Sequence, residues 1–227
     1  MRESRRGAGT PTEEGSTMSL VKAVTAAVAM GASMTIATPA VAAPPPHPFV
    51  FVHDRFQPAS QAKSAGAVTY DRSLVPTSAS VFIAEARVGG KGMKNREGGE
   101  GHGQHRMHKG TFVFISVRGL AANHHFGIHV HTKPCGTKPD SSGPHYQNKQ
   151  DPRQPSTNPK YANPRNEVWL DVTTRGSGKG WAKSWVKWNF RPDEARSVVI
   201  HKHATGTTSG KAGQAGDRVA CVNVPFK

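Results

Sequence analysis

From residue 67 onward, apolar side chains recur at every second position and nowhere hold a 3.6-residue period for more than a turn. That alternation predicts short strands over Val81–Val88, Thr111–Val117, Phe126–His131, Glu167–Thr173, Ala182–Phe190, Ser197–His201 and Arg218–Val224. Turns rich in Gly, Pro, Asn and Asp, such as Gly176-Ser177-Gly178-Lys179-Gly180, separate them. Seven to eight short antiparallel strands over residues 67–227 imply an all-β fold, a Greek-key β-barrel or sandwich with long loops. Two irregular stretches interrupt the pattern, Gly89–Gly110 and Thr132–Arg165, and in all-β proteins loops of that length are where chemistry sits.

The N-terminal part follows another pattern. Residues Val21–Ala43 are almost entirely Ala, Val, Met, Ile, Gly, Ser and Thr, sit beside Lys22 behind upstream arginines, and end in Ala40-Val41-Ala42. A basic flank, an apolar run and a small-residue cleavage site make residues 1–43 a secretory signal. The alternative, an uncleaved anchor, asks for about 20 strongly apolar positions that this small-residue run does not supply. Glu13 and Glu14 sit oddly in a basic flank, so the start is either Met1 or Met18. Residues 44–66, rich in Pro, Ser, Gln and Ala around Phe49-Val50-Phe51-Val52, read as a linker ahead of a β domain at 67–227.

Composition narrows the possibilities. With 7% aromatics and only two cysteines among 227 residues, the chain is neither a membrane-spanning bundle nor a disulfide-dense miniprotein. There are 30 Lys and Arg against 15 Asp and Glu, and losing residues 1–43 would leave a net charge of +14. Such a field attracts anions of any size, including anionic cell-envelope polymers. It does not by itself imply nucleic acid as a partner, since no recognition motif or aromatic-basic single-strand platform accompanies it. Export places Cys135 and Cys221 in an oxidising compartment, where they read as one disulfide, with free thiols as the alternative. Closing that loop would remove on the order of 4–5 kcal/mol of unfolded-chain entropy.

The histidines carry the candidate chemistry. In His129-Val130-His131, Ile128 and Val130 point toward the core, so both imidazoles point to the outer face of the sheet, side by side. His145 follows in a Gly143-Pro144-His145-Tyr146 loop segment. His201 closes the strand Ser197–His201, with Val198 and Ile200 turned inward. A set of nitrogens without thiolate leans toward copper or zinc.

These segments, Phe126 to Gly136, Gly143 to Tyr146, Ser197 to His201 and Ala215 to Cys221, resemble in this order the copper/zinc superoxide dismutase family, especially its secreted actinobacterial-type members. The resemblance runs from about Ala67 to the C-terminus and implies the sandwich fold that the strand count reaches independently. It implies that His129, His131, His145 and His201 ligate copper, that Arg218 guides superoxide, that Cys135 pairs with Cys221, and that the activity is superoxide dismutation, an oxidoreductase reaction giving dioxygen and hydrogen peroxide. Arg218 and His145 are the catalytic candidates. A non-catalytic copper-binding or envelope-binding protein on the same fold is the alternative.

The resemblance breaks at zinc. The family holds zinc with a bridging histidine, two further histidines and an aspartate, yet no histidine lies between Tyr146 and Ile200. Asp171 falls where the zinc aspartate would, but one carboxylate and one shared imidazole make a poor tetrahedral site. A copper-only site is the expectation, with Asp171 either an acceptor orienting a copper histidine or a solvated residue beside a turn. Residues 202–216 contain no acid, so the stretch between His201 and Arg218 lacks the charge-patterned loop that the family leads one to expect.

Weaker features remain. Met93, His102, His105, Met107 and His108 lie in the Gly-rich insertion 89–110, read as a basic connection or a copper-collecting loop. His203 forms a second His-x-His with His201, while His124 and His125 sit in a turn without an expected metal role. Trp181, Lys183, Trp185 and Lys187 alternate on one face of their strand, as sheet-face packing, a subunit interface or a contact for an anionic polymer.

Overall fold

The computed structural model describes residues 49–89 and 109–227. The signal at 1–43, the choice between Met1 and Met18, and the His and Met residues of the insertion lie outside the described residues. Eleven strands follow in chain order: β1 (Phe49–Arg55), β2 (Gln57–Pro58), β3 (Ala67–Thr69), β4 (Ser80–Val88), β5 (Gly110–Arg118), β6 (His125–Phe126), β7 (Ile128–His131), β8 (Val172–Thr173), β9 (Gly180–Val186), β10 (Ser197–His201) and β11 (Arg218–Asn223). One sheet has the order β1-β4-β5-β9 and the other β2-β3-β11-β10-β7, with β6 and β8 forming a small third pair. Every pairing is antiparallel except that of β2 with β3. The sheets stay open at their edges, so of the two architectures anticipated this is the sandwich.

Strict alternation produces this packing. In β4, Val81, Ile83 and Glu85 are buried while their neighbours are half-exposed, and in β5 Val113, Ile115 and Val117 face the same way. Opposite them, Ile128, Val130, Val198, Ile200, Ala220 and Val222 close the core from the other sheet. A smaller apolar cluster lies on the far side of that second sheet, where Ala62, Val68 and Val199 surround the Cys135–Cys221 disulfide. The bridge joins the loop after β7 to β11 across 86 positions. Free thiols are thereby ruled out among the described residues.

Four expectations need correction. Residues 49–66 are no linker: β1 pairs along its whole length with β4, a 3-10 turn spans Ala59–Gln61, and Phe56 is fully buried with its amide donating to the Ala79 carbonyl at 3.1 Å. The run Phe49-Val50-Phe51-Val52 is apolar at every position and so carries no alternation to announce a strand. Of the anticipated strand Glu167–Thr173, only Val172 and Thr173 form a strand, β8, while Trp169 makes an isolated bridge to His129 and Glu167 is buried. The strand anticipated over Ala182–Phe190 runs as β9 over Gly180–Val186, and Trp188 and Phe190 leave it to pack around Tyr146. The strand anticipated over Phe126–His131 breaks at Gly127, whose amide and carbonyl are taken by His203 O and His201 N.

Candidate metal centre

β7 and β10 lie side by side, with Val199 opposite His129 and Ser197 opposite His131. Alternation sends His129, His131 and His201 away from the core, as anticipated. That outer face is covered rather than open, since His129 and His131 are 0% exposed and His201 is 4% exposed. His145 arrives from the loop after β7, where an isolated bridge pairs it with His131 and the Tyr146 amide donates to Val130 O at 2.8 Å. One nitrogen of each of the four imidazoles lies within 4.8 Å of the others.

The remaining nitrogens determine which atoms face inward. His131 Nδ1–H donates to the Gly143 carbonyl at 2.9 Å and His201 Nδ1–H to the Gly216 carbonyl at 3.1 Å. Both glycines adopt positive φ, +70° and +77°, a backbone conformation that side chains rarely adopt, so the carbonyls are aimed by residues suited to it. Carbonyls only accept, so both Nε2 atoms are bare, and they face one another at 3.3 Å. His129 Nε2 lies 2.8 Å from Thr205 Oγ1, whose hydroxyl donates to Asp171 Oδ1 at 2.6 Å, so the imidazole is the donor. Its Nδ1 is buried with no hydrogen-bond partner.

Converging lone pairs with nothing between them repel, and a buried nitrogen without a partner is costly. A cation that accepts neutral imidazoles relieves both conditions, so the donor set fits copper. Burial, reinforced by the neighbouring imidazoles, pushes the His129 and His131 pKa values well below the ordinary histidine range, and burial with His145 pushes His201 down to about 3. All three are thus held in the neutral, metal-ligating form at neutral pH.

His145 has a partner that sequence reasoning missed. Its Nδ1 lies 3.0 Å from Glu167 Oε2, the same oxygen accepts from Trp169 Nε1 at 2.7 Å, and Gln147 Nε2 donates to Oε1 at 2.7 Å. Gln147 Oε1 in turn accepts from the Asp151 amide and Gln154 Nε2, so amides and a carboxylate hold the loop together. The only available signal was an acid amid Val168, Trp169 and Leu170, where a strand reading leaves it unexplained. Thr205 was likewise missed, four positions after His201 in a stretch without marked chemistry.

Asp171 touches no histidine directly. It accepts from the Thr205 amide at 2.8 Å and hydroxyl, and reaches His129 through that residue. Arg218 lies at the mouth, its Nη1 donating to Ser142 Oγ at 2.9 Å and Pro139 O at 3.2 Å, with Asp140 at 3.9 Å. Together with His145, His201, Glu167, Gln147 and Gln214 it lines a cavity of about 310 Å³. His203, His124 and His125 stay outside the cluster: His203 is exposed, His124 Nε2 bonds Lys202 O, and His125 Nδ1 bonds Thr173 Oγ1.

The family described as Copper/zinc superoxide dismutase (SODC) matches residues 100–224. No curated protein matches. Among solved structures, the clock protein EA4 aligns with a TM-score of 0.43 and 20% identity, covering 66% of this chain and 88% of its own. A double mutant of a SOD-like protein from Bacillus subtilis aligns with a TM-score of 0.42 and 19% identity, covering 64% and 88%.

Proposed function

Because the chain belongs to the copper/zinc superoxide dismutase family, we propose that it is an exported superoxide dismutase working with copper alone. The observation that carries this reading is the convergence of four imidazoles with their outer nitrogens occupied and their inner nitrogens free. Copper held by His129, His131, His145 and His201 supplies one-electron chemistry that turns two superoxide anions and two protons into dioxygen and hydrogen peroxide. The chain's own groups do the rest. Arg218, anchored by Ser142 and Pro139, holds the anion at the cavity mouth, and the net charge of +14 left without residues 1–43 raises its encounter rate most at low ionic strength. His145 and Glu167 hold a proton at their Nδ1 to Oε2 contact, and both residues line the cavity.

Use of copper alone is supported by the same contact. In the family the bridging histidine gives its second nitrogen to zinc, whereas here that nitrogen is taken by Glu167, itself bound by Trp169 and Gln147. Asp171 is turned to Thr205 and orients His129 through it. Export is supported by the apolar N-terminal segment and by the disulfide, which persists in oxidising compartments.

A second reading, copper or envelope-polymer binding without turnover, is favoured by the stretch 202–216, which has no acid to pattern the field around the site. The test is the dismutation rate of the copper-loaded, oxidised chain beside a His129→Ala control. A rate near the diffusion limit that the control loses supports the enzyme; a rate no greater than that of free copper transfers the chain to the second reading.

A further inference from the structure

Opposite the metal centre, none of the described residues covers the outer face of the sheet β1-β4-β5-β9. Its register places Phe49 and Phe51 on β1, Phe82 on β4, Phe112 and Phe114 on β5, and Trp181 and Trp185 on β9 on this one face. A continuous row of rings crosses all four strands: Phe51 to Phe82, Phe82 to Phe114 and Phe114 to Trp181 lie 6.4, 6.3 and 6.2 Å apart between centroids. Phe49, Phe51, Trp181 and Trp185 are 53%, 66%, 60% and 46% exposed. A folded protein rarely leaves aromatic rings contiguous in water unless something else covers them.

The polar residues on the face indicate what that is. Arg55, Arg118 and Lys183 share it, His53 lies between, and among its strand residues no acid does. A second copy of the chain would set these cations against themselves with no carboxylate to answer. A glycan would need directional hydrogen bonds, and among the rings only Ser80 and Ser116 offer hydroxyls. Aromatic rings with cations among them and few other polar groups match an anionic bilayer, where rings settle at the headgroup level and Lys and Arg meet lipid phosphates.

We infer that the outer face of β1-β4-β5-β9 docks on anionic lipid membrane through Phe51, Trp181 and Trp185, with Lys183 and Arg118 against the phosphates. The imidazole cluster lies on the opposite side of the sandwich, so the docked protein keeps its cavity open to water. The inference does not depend on dismutase activity.

The test uses the full chain with vesicles of phosphatidylcholine and phosphatidylglycerol, against phosphatidylcholine alone, with brominated lipid as quencher of tryptophan emission. Quenching on the anionic vesicles is expected, and its loss in the Trp181→Phe/Trp185→Phe variant. Phe51→Ser/Trp181→Ser, which leaves the net charge unchanged, is expected to weaken vesicle affinity by about tenfold or more while the melting temperature holds. Absence of quenching overturns the inference. So does vesicle binding that the Phe51→Ser/Trp181→Ser variant retains, which would assign it to charge or to the N-terminal stretch. An equal loss of affinity for soluble heparin would make the occupant a polyanion, and a dimer in sedimentation that the same variant dissolves would make it a second copy.

Discussion

On the outer side of β7 and β10, His129, His131 and His201 lie beneath the loops around 143–147 and 202–216 and are buried. On the outer side of β1, β4, β5 and β9, Phe49, Phe51, Trp181 and Trp185 stand in it. Both sets leave the core by the same two-residue alternation. They differ in what the connections do: long loops fold back over the second sheet and bring polar partners, and among the described residues none does so over the first. A sheet face that receives loops becomes a desolvated site able to hold imidazoles neutral, and one that receives none remains a surface seeking a partner.

The covered face is broken most severely at a ligand. His201→Ala is expected to reduce dismutation to the level of the copper-free chain, a drop of about a thousandfold or more, read together with copper content after dialysis. Next is the layer between the faces, where Glu85 is buried beside the Lys227 amide and burial raises its pKa to about 7. The folded state therefore retains this proton while the unfolded chain loses it near 4.5. The stability that Glu85 contributes is fully present below about 4.5 and is lost as pH rises toward about 7, on the order of 3 kcal/mol. Glu85→Gln should flatten that decline in denaturant titrations and be the more stable protein at pH 8.

Two smaller changes sharpen the covered face without opening it. Glu167→Gln retains the shape and removes the charge beside His145, with copper affinity expected to fall about 10- to 100-fold and the Cu(II) spin-resonance spectrum to shift. Thr205→Val removes the acceptor from His129 Nε2, with about a tenfold loss in affinity and a spectral change that Thr205→Ser does not show. The bare face is the least sensitive. Phe51→Ser should change folding stability by no more than about 0.5 kcal/mol, since the ring contributes little to the core that its departure could remove.

Much of the copper-binding half was readable from residue types and spacing. Two histidines flanking one apolar residue must emerge on the same side of a strand, and Ser197–His201 repeats that geometry with Val198 and Ile200 inward. Glu167 escaped because its local pattern matches a strand, and only the loop carrying His145 gives its carboxylate a reason to be buried. β1 escaped because four consecutive apolar residues have no period, so only pairing with β4 says which of them face the core.

The sequence by itself determined the β-rich character of the domain, the four imidazoles and which strand face bears three of them, the lone cysteine pair and the cationic balance, all of which follow from composition and a local period of two. Tertiary structure alone decided that the imidazoles are buried, which nitrogen of each faces the others, that Glu167 and Thr205 complete the site, and that the aromatic rings of four strands join into one exposed row. Those outcomes depend on which distant segments come to lie over or beside one another, and local periodicity along a chain carries no record of it.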